Sequence, residues 1–193
     1  MNFSIKHQEE YSRGELLLRT ILGWVYIGIP HYFLLSIIGI WSGILHFLAW
    51  WAILFTGKYP QSMFEFQAKY IAWGNRFGAS LANLVDGYPA LGLAGTSDTV
   101  KVELTNPAGM SRGKLLLRTF FGSIYVGIPH GFCLYFRAIG AAFVAFIAWW
   151  IVLFTGKYPE NMHHFVVGTL RWSNRVFFYL ANLTDDYPPF TGK

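Results

Sequence analysis

The sequence carries little charge for its length. Asp, Glu, Lys and Arg together make up 13% of its 193 residues, about half of the roughly 25% found in soluble globular domains. Hydrophobic residues account for 54% and aromatic residues for 19%. These values exclude a disordered chain, a nucleic-acid-binding arm and an ordinary soluble domain, and they predict an integral membrane protein.

Cysteine and known catalytic motifs are also scarce. Cys133 is the single cysteine and lies in an apolar run, which excludes an intrachain disulfide and indicates a small buried hydrophobic residue. The sequence has no nucleophile elbow, P-loop, dinucleotide-binding fingerprint, HExxH or CxxC. We therefore expect no catalytic residues, no metal and no cofactor.

What the chain does contain is an internal duplication. Residues 12–89 align with residues 111–188 at a constant offset of 99 without a gap, and 40 of the 78 aligned positions are identical. The shared segments include Ile-Pro-His, at 29–31 and 128–130, and Leu-Phe-Thr-Gly-Lys-Tyr-Pro, at 54–60 and 153–159. The sequence therefore predicts two repeats, 1–89 and 100–193, joined by a linker at 90–99.

A short alternating segment precedes each repeat. Phe3 and Ile5 alternate with polar residues near the start of the chain, and residues 99–105 alternate in the same way. Period-two alternation with β-branched residues indicates a strand. Since one strand alone is unstable, we expect the two strands to pair as a ribbon that ties the repeats together.

Each repeat contains an apolar window too long for a single comfortable span. Residues 20–57 lack Asp, Glu, Lys and Arg, and a helix of this length would run about 57 Å against a hydrocarbon core of about 30 Å. The second window, 119–156, contains one charge, Arg137. We interpret each window as a transmembrane hairpin, with helices near 16–38, 40–56, 115–136 and 139–155, and with Arg137 at the far turn. Arg19 and Arg118 would reach the interface from the helix starts.

A more polar segment follows each hairpin, at about 61–84 and 160–184. Apolar residues recur every three or four positions, with charged residues between them. This pattern predicts an amphipathic helix, either on the cytoplasmic membrane surface or folded back onto the protein. The fold class predicted is all-α: two tandem repeats, each a transmembrane hairpin followed by a cytoplasmic-surface amphipathic helix, with a short β-strand before each repeat.

The basic residues indicate the topology. Under the hairpin interpretation, 14 of the 15 Lys and Arg residues lie on one side of the membrane. The positive-inside rule then places both termini in the cytoplasm and makes the repeats parallel, about an axis along the membrane normal. The bases that flank apolar runs favour anionic lipid headgroups over nucleic acid as partners.

Three segments of the second repeat, 153–159, 171–175 and 183–190, resemble a bacterial inner-membrane family of unknown function, the DUF4389 family. In that family an Ile-Pro-His segment precedes the hairpin. The resemblance covers both repeats, but the first repeat ends in Tyr-Pro-Ala and lacks the double proline of the second. It implies a multi-pass protein of the bacterial inner membrane and transfers no catalytic role.

His31 and His130 are the strongest candidates for chemistry, because each follows a proline, Pro30 or Pro129, inside an apolar run. The structural interpretation is that each imidazole bonds a backbone group freed by the proline. The alternatives are a polar path, a lipid contact, or a haem or metal held between the two helices. His163 and His164 are interpreted as a solvated helix face.

Charged residues in the amphipathic segments form the second candidate group. Arg76 with Asp86, and Arg175 with Asp185, are predicted to close each helix onto its tail through a salt bridge. The alternative is a lipid or partner site made of basic residues: Lys58, Arg76, Lys157, Arg171 and Arg175.

Three functions from different classes fit these features. The favoured one is a non-enzymatic accessory or scaffolding subunit of a larger bacterial membrane complex, in contact with lipid headgroups and other membrane subunits. A small oligomeric transporter or channel is the second, since parallel repeats occur in transporters. The third is a membrane redox protein that uses His31 and His130 as ligands.

Overall fold

The computed structural model describes residues 2–193 and begins with the ribbon that joins the repeats. Strands β1 (Asn2–Ile5) and β2 (Val100–Glu103) pair in antiparallel register, with Phe3 opposite Val102. Phe3, Ile5 and Val100 are buried, so the apolar face of the alternation packs onto the protein. The predicted ribbon is confirmed.

Each apolar window forms one continuous helix. Helix α1 spans Arg13–Thr56 and α3 spans Arg112–Thr155, 44 residues each. The predicted hairpins, with breaks between 38 and 40 and between 136 and 139, are therefore wrong. The expected turns contain or adjoin a glycine, Gly39 or Gly140, but no proline. Glycine costs a helix interior only about 1 kcal/mol relative to alanine. That cost is too small to end the helix, because a break would leave backbone N–H and C=O groups without partners.

The charge expected at the second turn is half-buried against the next helix. Arg137 donates from Nε to Thr169 Oγ1 at 3.1 Å, and its guanidinium lies 4.6 Å from the centre of the Phe165 ring. A hydrogen bond and a cation–π contact thus hold the charge against the next helix. Because Arg137 has these partners, the helix can pass through this position without a turn.

Each long helix contains one wide turn just before its proline. The Ile29 amide bonds to Trp24 O and the Ile128 amide to Ser123 O, an i→i+5 spacing at Trp24–Gly28 and Ser123–Gly127. Proline lacks an amide donor and its ring crowds the preceding turn of a helix. A widened turn absorbs this local misfit, so the helix continues through Pro30 and Pro129.

Glycine ends both long helices, and a second helix then folds back along each. Gly57 and Gly156 have φ values of +71° and +73°, the left-handed conformation in which glycine is favoured at a helix C-terminus. Helix α2 (Gln61–Leu81) packs along α1, and α4 (Glu160–Leu180) packs along α3. Of the two predicted placements of the amphipathic helices, the structure has the folded-back one.

Both shorter helices end a few residues before the predicted limits of 84 and 184. Asn83 and Asn182 adopt positive φ values of 55° and 54°. The amide of Leu84 bonds back to Ala79 O, and that of Leu183 to Phe178 O. A left-handed residue with a bond that spans six residues is a common helix stop, and asparagine tolerates it better than most residues.

The two repeats are related by a pseudo-twofold axis. Asn75 and Asn174, at equivalent positions of α2 and α4, exchange reciprocal side-chain hydrogen bonds of 3.1 and 2.9 Å. The long helices run antiparallel and are joined at both ends. Trp149 Nε1 donates to Thr20 Oγ1 at 2.9 Å, and Trp50 Nε1 donates to Thr119 Oγ1 at 2.8 Å.

The hydrophobic core combines residues of both repeats. One cluster joins Phe3, Leu16 and Leu84 of the first repeat to Val152 and Val167 of the second. A second cluster joins Ile53 and Phe64 to Leu115 and Phe178. The repeats are therefore not independent domains. The long helices form one layer, α2 and α4 pack against its inner side, and the ribbon packs on α2 and α4.

Candidate functional site: the outward faces of the long helices

The outward faces of α1 and α3 are apolar along their entire length. Exposed residues of α1 recur every three or four positions from Leu17 to Phe55, and those of α3 from Leu116 to Phe154. The buried positions of α1, such as His31, Ser42 and Ile53, point instead toward α2. Each long helix is thus apolar on its exposed side, while its buried side carries both polar and apolar residues.

Bulky residues dominate these faces. Several are more than 60% exposed, a fraction that is costly for large apolar side chains in water: Ile21, Trp24, Phe33, Ile40, Phe120, Phe132, Phe143 and Phe154. Cys133 is exposed among them, which makes the prediction of a buried cysteine wrong. Contiguous apolar patches on this scale mark interaction surfaces rather than solvent-facing ones.

A groove opens on this face where the long helices meet. A cavity of about 460 Å³ lies between the start of α1 and the end of α3. Its walls are mostly apolar and include Leu16, Ala145, Phe146 and Trp149, with Thr20 as a polar group. Equivalent residues line a second groove at the other junction of the long helices, including Gly43, Phe47 and Thr119.

His31 lies on the inner side of α1, in a box of aromatic rings. Its Nδ1 accepts a hydrogen bond of 2.9 Å from Trp73 Nε1. The Phe77 ring stacks on the imidazole at 5.3 Å between centroids, and Tyr88 lies at 5.4 Å. The histidine is fully buried, so these rings enclose it.

His130 occupies the equivalent box on α3. Trp172 Nε1 donates to its Nδ1 at 2.9 Å, and Phe190 of the C-terminal tail stacks on the ring at 3.8 Å. The interpretation that each histidine bonds a backbone group freed by the proline is therefore wrong, because the Nδ1 partner is an indole. The only sequence signal for Trp73 and Trp172 as these donors was that they occupy equivalent positions of the two repeats.

The tryptophan bonds constrain what the histidines can bind. A neutral imidazole that accepts at Nδ1 carries its proton on Nε2, and both Nε2 atoms are buried without a partner in residues 2–193. A metal bound at Nε2 would displace that proton, which in a neutral ring would have to move to Nδ1 and break the indole bond. The tryptophan bond and metal ligation therefore compete with each other. Each histidine contacts rings of its own repeat, and the structure does not bring His31 and His130 together.

The predicted salt bridges involve other arginines. Asp86 pairs with Arg19 at 2.8 Å and Asp185 pairs with Arg118 at 2.8 Å. The same aspartates accept from the Ser12 and Ser111 amides, at the N-caps of the long helices. The prediction that Arg76 pairs with Asp86, and Arg175 with Asp185, is therefore wrong. So is the expectation that Arg19 and Arg118 extend to the interface, since both are buried.

Three of the five basic candidates hold backbone segments. Arg76 donates to Ala90 O and Gly92 O, and its burial lowers the pKa of the guanidinium. Arg171 donates to Phe3 O at 2.7 Å and to Gly192 O at 3.0 Å. Arg175 reaches Thr191 O at 3.5 Å. These arginines fasten the tail that follows each short helix, whereas Lys58 and Lys157 remain exposed.

His163 is a buried residue that the sequence did not reveal. It is fully buried, with His7 at 5.1 Å and Tyr158 at 5.6 Å between ring centroids. Burial, together with the neighbouring His7 and His164, lowers its pKa to about 4. The solvated face predicted for the pair is confirmed for the exposed His164 and wrong for His163. Phe64 at the equivalent position of the first repeat is the signal that could have indicated burial.

Within residues 2–193, no group of three or more His, Cys, Asp or Glu side chains is placed to hold a metal ion. Two helices, Arg13–Thr56 and Arg112–Thr155, are long and apolar enough to cross a membrane. The outward faces of these helices are thus the largest feature that the fold itself leaves unexplained.

Comparison with known proteins gives one match. The family described as "Domain of unknown function (DUF4389)" matches residues 15–91 and again residues 114–192. Neither the curated proteins nor the solved structures contain a match to this chain. Since the two matched regions cover most of the sequence and coincide with the two repeats, the chain belongs to the DUF4389 family and carries that domain twice in tandem.

Proposed function

We propose that this protein is a non-enzymatic membrane protein that serves as an accessory or scaffolding subunit of a larger bacterial membrane complex. The observation that carries the proposal is the pair of outward apolar faces on α1 and α3. Lipid is the environment in which such faces are stable, because exposure of each large apolar side chain to water costs about 1.5–3 kcal/mol relative to burial. The inner membrane and cytoplasmic termini are part of this proposal.

The polar residues support a structural rather than a catalytic role. Arg19 and Arg118 fix the N-termini of the long helices, and Arg76 and Arg171 hold backbone carbonyls. Each of these guanidinium groups already has at least one partner within the fold. The exposed lysines at the ends of the long helices, Lys58 and Lys157, are free to contact anionic headgroups.

Membrane association is tested by alkaline carbonate extraction of cell membranes. We expect the protein to remain in the membrane pellet. A variant with Ile40→Glu and Ile139→Glu, at equivalent positions of the two outward faces, should be lost from the pellet because each carboxylate would enter the hydrocarbon. The matched control places the same charges on the short helices, as Ser62→Glu and Asn161→Glu, and should stay membrane-bound. Equal retention of the two variants would contradict the proposal.

The scaffolding role is tested with a tagged chromosomal copy. After extraction in a mild detergent, native mass spectrometry of the purified material should show a stoichiometric protein partner. A 22.0 kDa chain that is recovered alone or as a homo-oligomer, together with unchanged membrane complexes in a deletion strain, would refute this role and leave the membrane location standing.

A further inference from the structure

We propose that α1 and α3 do not cross the membrane but lie in its plane, with their outward faces embedded in a single leaflet. The inference rests on the proposed membrane location and specifies its geometry. The partner of the outward faces is then the acyl-chain region of one leaflet, and the ribbon, α2 and α4 lie on the polar side of it.

The inference rests on the position of exposed charged residues of the ribbon and α2 relative to the middle of the long helices. His130 lies near the middle of α3 and bonds Trp172. The residue before this tryptophan, Arg171, donates to Phe3 O of the ribbon. The ribbon therefore lies level with the middle of the long helices. Its strand β2 exposes Lys101 and Glu103, on either side of the residue paired with Phe3.

The first repeat shows the same arrangement. Tyr70 of α2 bonds Leu35 O, at the middle of α1, and the adjacent Lys69 is exposed. If the long helices crossed a bilayer, Lys69, Lys101 and Glu103 would face lipid near its centre. Insertion scales assign such positions about 2.5–3.5 kcal/mol per charge. With the helices in the membrane plane, all three residues face water.

Length leads to the same orientation. The charge-free stretch of α1, residues 20–57, is about 57 Å long as a helix, and the hydrocarbon core is about 30 Å thick. A spanning helix would need a tilt of about 60° to bury that stretch, beyond the roughly 0–40° seen for transmembrane helices. An in-plane helix has no such limit.

The pseudo-twofold axis is compatible with one leaflet. The long helices are hydrogen-bonded to each other at both ends, so they lie side by side in one layer, and the axis relates their outward faces. An axis along the membrane normal presents the two faces at equal depth. The exposed bases at the four helix ends, Arg13, Lys58, Arg112 and Lys157, then all lie at the headgroup level of the same leaflet.

Sidedness of the helix ends distinguishes the two orientations. Lys58→Cys and Lys157→Cys would each be made in a Cys133→Ser background and labelled with a membrane-impermeant maleimide in spheroplasts and in inverted vesicles. Because α1 and α3 are antiparallel, spanning helices would place these equivalent positions on opposite sides. The in-plane orientation predicts that both cysteines are labelled from the same side of the membrane and that neither is labelled from the other side.

Depth provides the second measurement. A spin label would be placed on the exposed native Cys133, at mid-length of α3, and on Phe120→Cys and Phe154→Cys near its ends in the Cys133→Ser background. Accessibility to oxygen and to a polar nickel reagent should report one shallow depth for all three. A Cys133 label at the bilayer centre with shallow end labels would overturn the proposal, as would opposite-side labelling of Lys58→Cys and Lys157→Cys.

The outcomes separate this inference from the proposed function. Recovery of the wild-type protein in the soluble fraction would overturn both proposals. Opposite-side labelling of a protein that remains in the membrane would overturn the orientation alone.

Discussion

At the scale of single residues, the two histidines are explained by their tryptophans. A buried imidazole in a long apolar helix invites a ligand-binding interpretation. Here Trp73 and Trp172 occupy the Nδ1 atoms of His31 and His130, and aromatic rings cover the imidazole faces. The pairs join the long helix of each repeat to its short helix, so we assign them a structural role.

Removal of an indole donor tests that role. Trp172→Phe keeps most of the ring but leaves Nδ1 of the buried His130 without a donor, which should lower stability by about 1–3 kcal/mol. The measurement is the midpoint of thermal unfolding in detergent, followed by circular dichroism. Trp51→Phe, on the outward face of α1, is the matched control and should shift the midpoint less. A midpoint for Trp172→Phe equal to that of the wild type would contradict the assignment.

His163 makes stability depend on pH. Its pKa is about 4 in the folded protein, against an ordinary value of 6.5. The unfolded chain therefore binds a proton at His163 more readily than the folded one, so stability is complete above about pH 6.5 and falls as the pH drops toward 4. The variant His163→Phe, which copies Phe64 of the first repeat, should show a shallower loss. Urea unfolding in detergent at several pH values measures the slope, and an unchanged slope in the variant would refute the prediction.

At the scale of elements, the repeat and its boundaries could be predicted from the sequence. The alternation before each repeat predicted the ribbon, and the predicted limits of 56 and 155 coincide with the ends of the long helices. Local patterns suffice here because a strand alternation and a glycine C-cap are set by nearby residues. The partners of Arg19 and Asp86, which are 67 positions apart, depend on how α2 folds back, and no local pattern contains that information.

The hairpin prediction failed for a related reason. The length of the apolar window was read as a need for two spans, on the assumption that each helix runs along the membrane normal. A bilayer limits only the helices that cross it. The sequence held the contrary signal in the three-to-four-residue spacing of residues such as Ile44, Phe47 and Trp51, which all lie on the outward face.

The glycine caps should be sensitive to substitution. Gly57→Ala places a side chain at a φ of +71°, which should cost about 1 kcal/mol, because alanine disfavours the left-handed region. The matched control is Gly43→Ala, inside α1, where an added methyl group meets nothing within 4 Å. That change should be neutral or stabilising, since alanine has the higher helix propensity. Thermal unfolding of the two variants checks the difference, and equal midpoints would contradict it.

At the scale of the whole molecule, the fold resembles a dimer joined into one chain. The contacts across the pseudo-twofold axis pair equivalent residues: the asparagines of α2 and α4, the two strands, and the two Trp–Thr bonds. The hydrophobic clusters also draw on both repeats. A single repeat would leave half of each core exposed.

This arrangement predicts the behaviour of one repeat alone. The segment 100–193 contains β2, Asn174, Thr119 and Trp149, so two copies can reproduce every symmetric contact: strand to strand, asparagine to asparagine, and Trp149 to the Thr119 of the other copy. We therefore expect it to form a homodimer in detergent, because the dimer restores the burial that a monomer lacks. Native mass spectrometry gives the stoichiometry. Asn174→Leu should weaken the dimer more than the matched change Asn161→Leu, which lies at the exposed start of α4. A stable, folded monomer of 100–193 would show instead that each repeat has a sufficient core of its own.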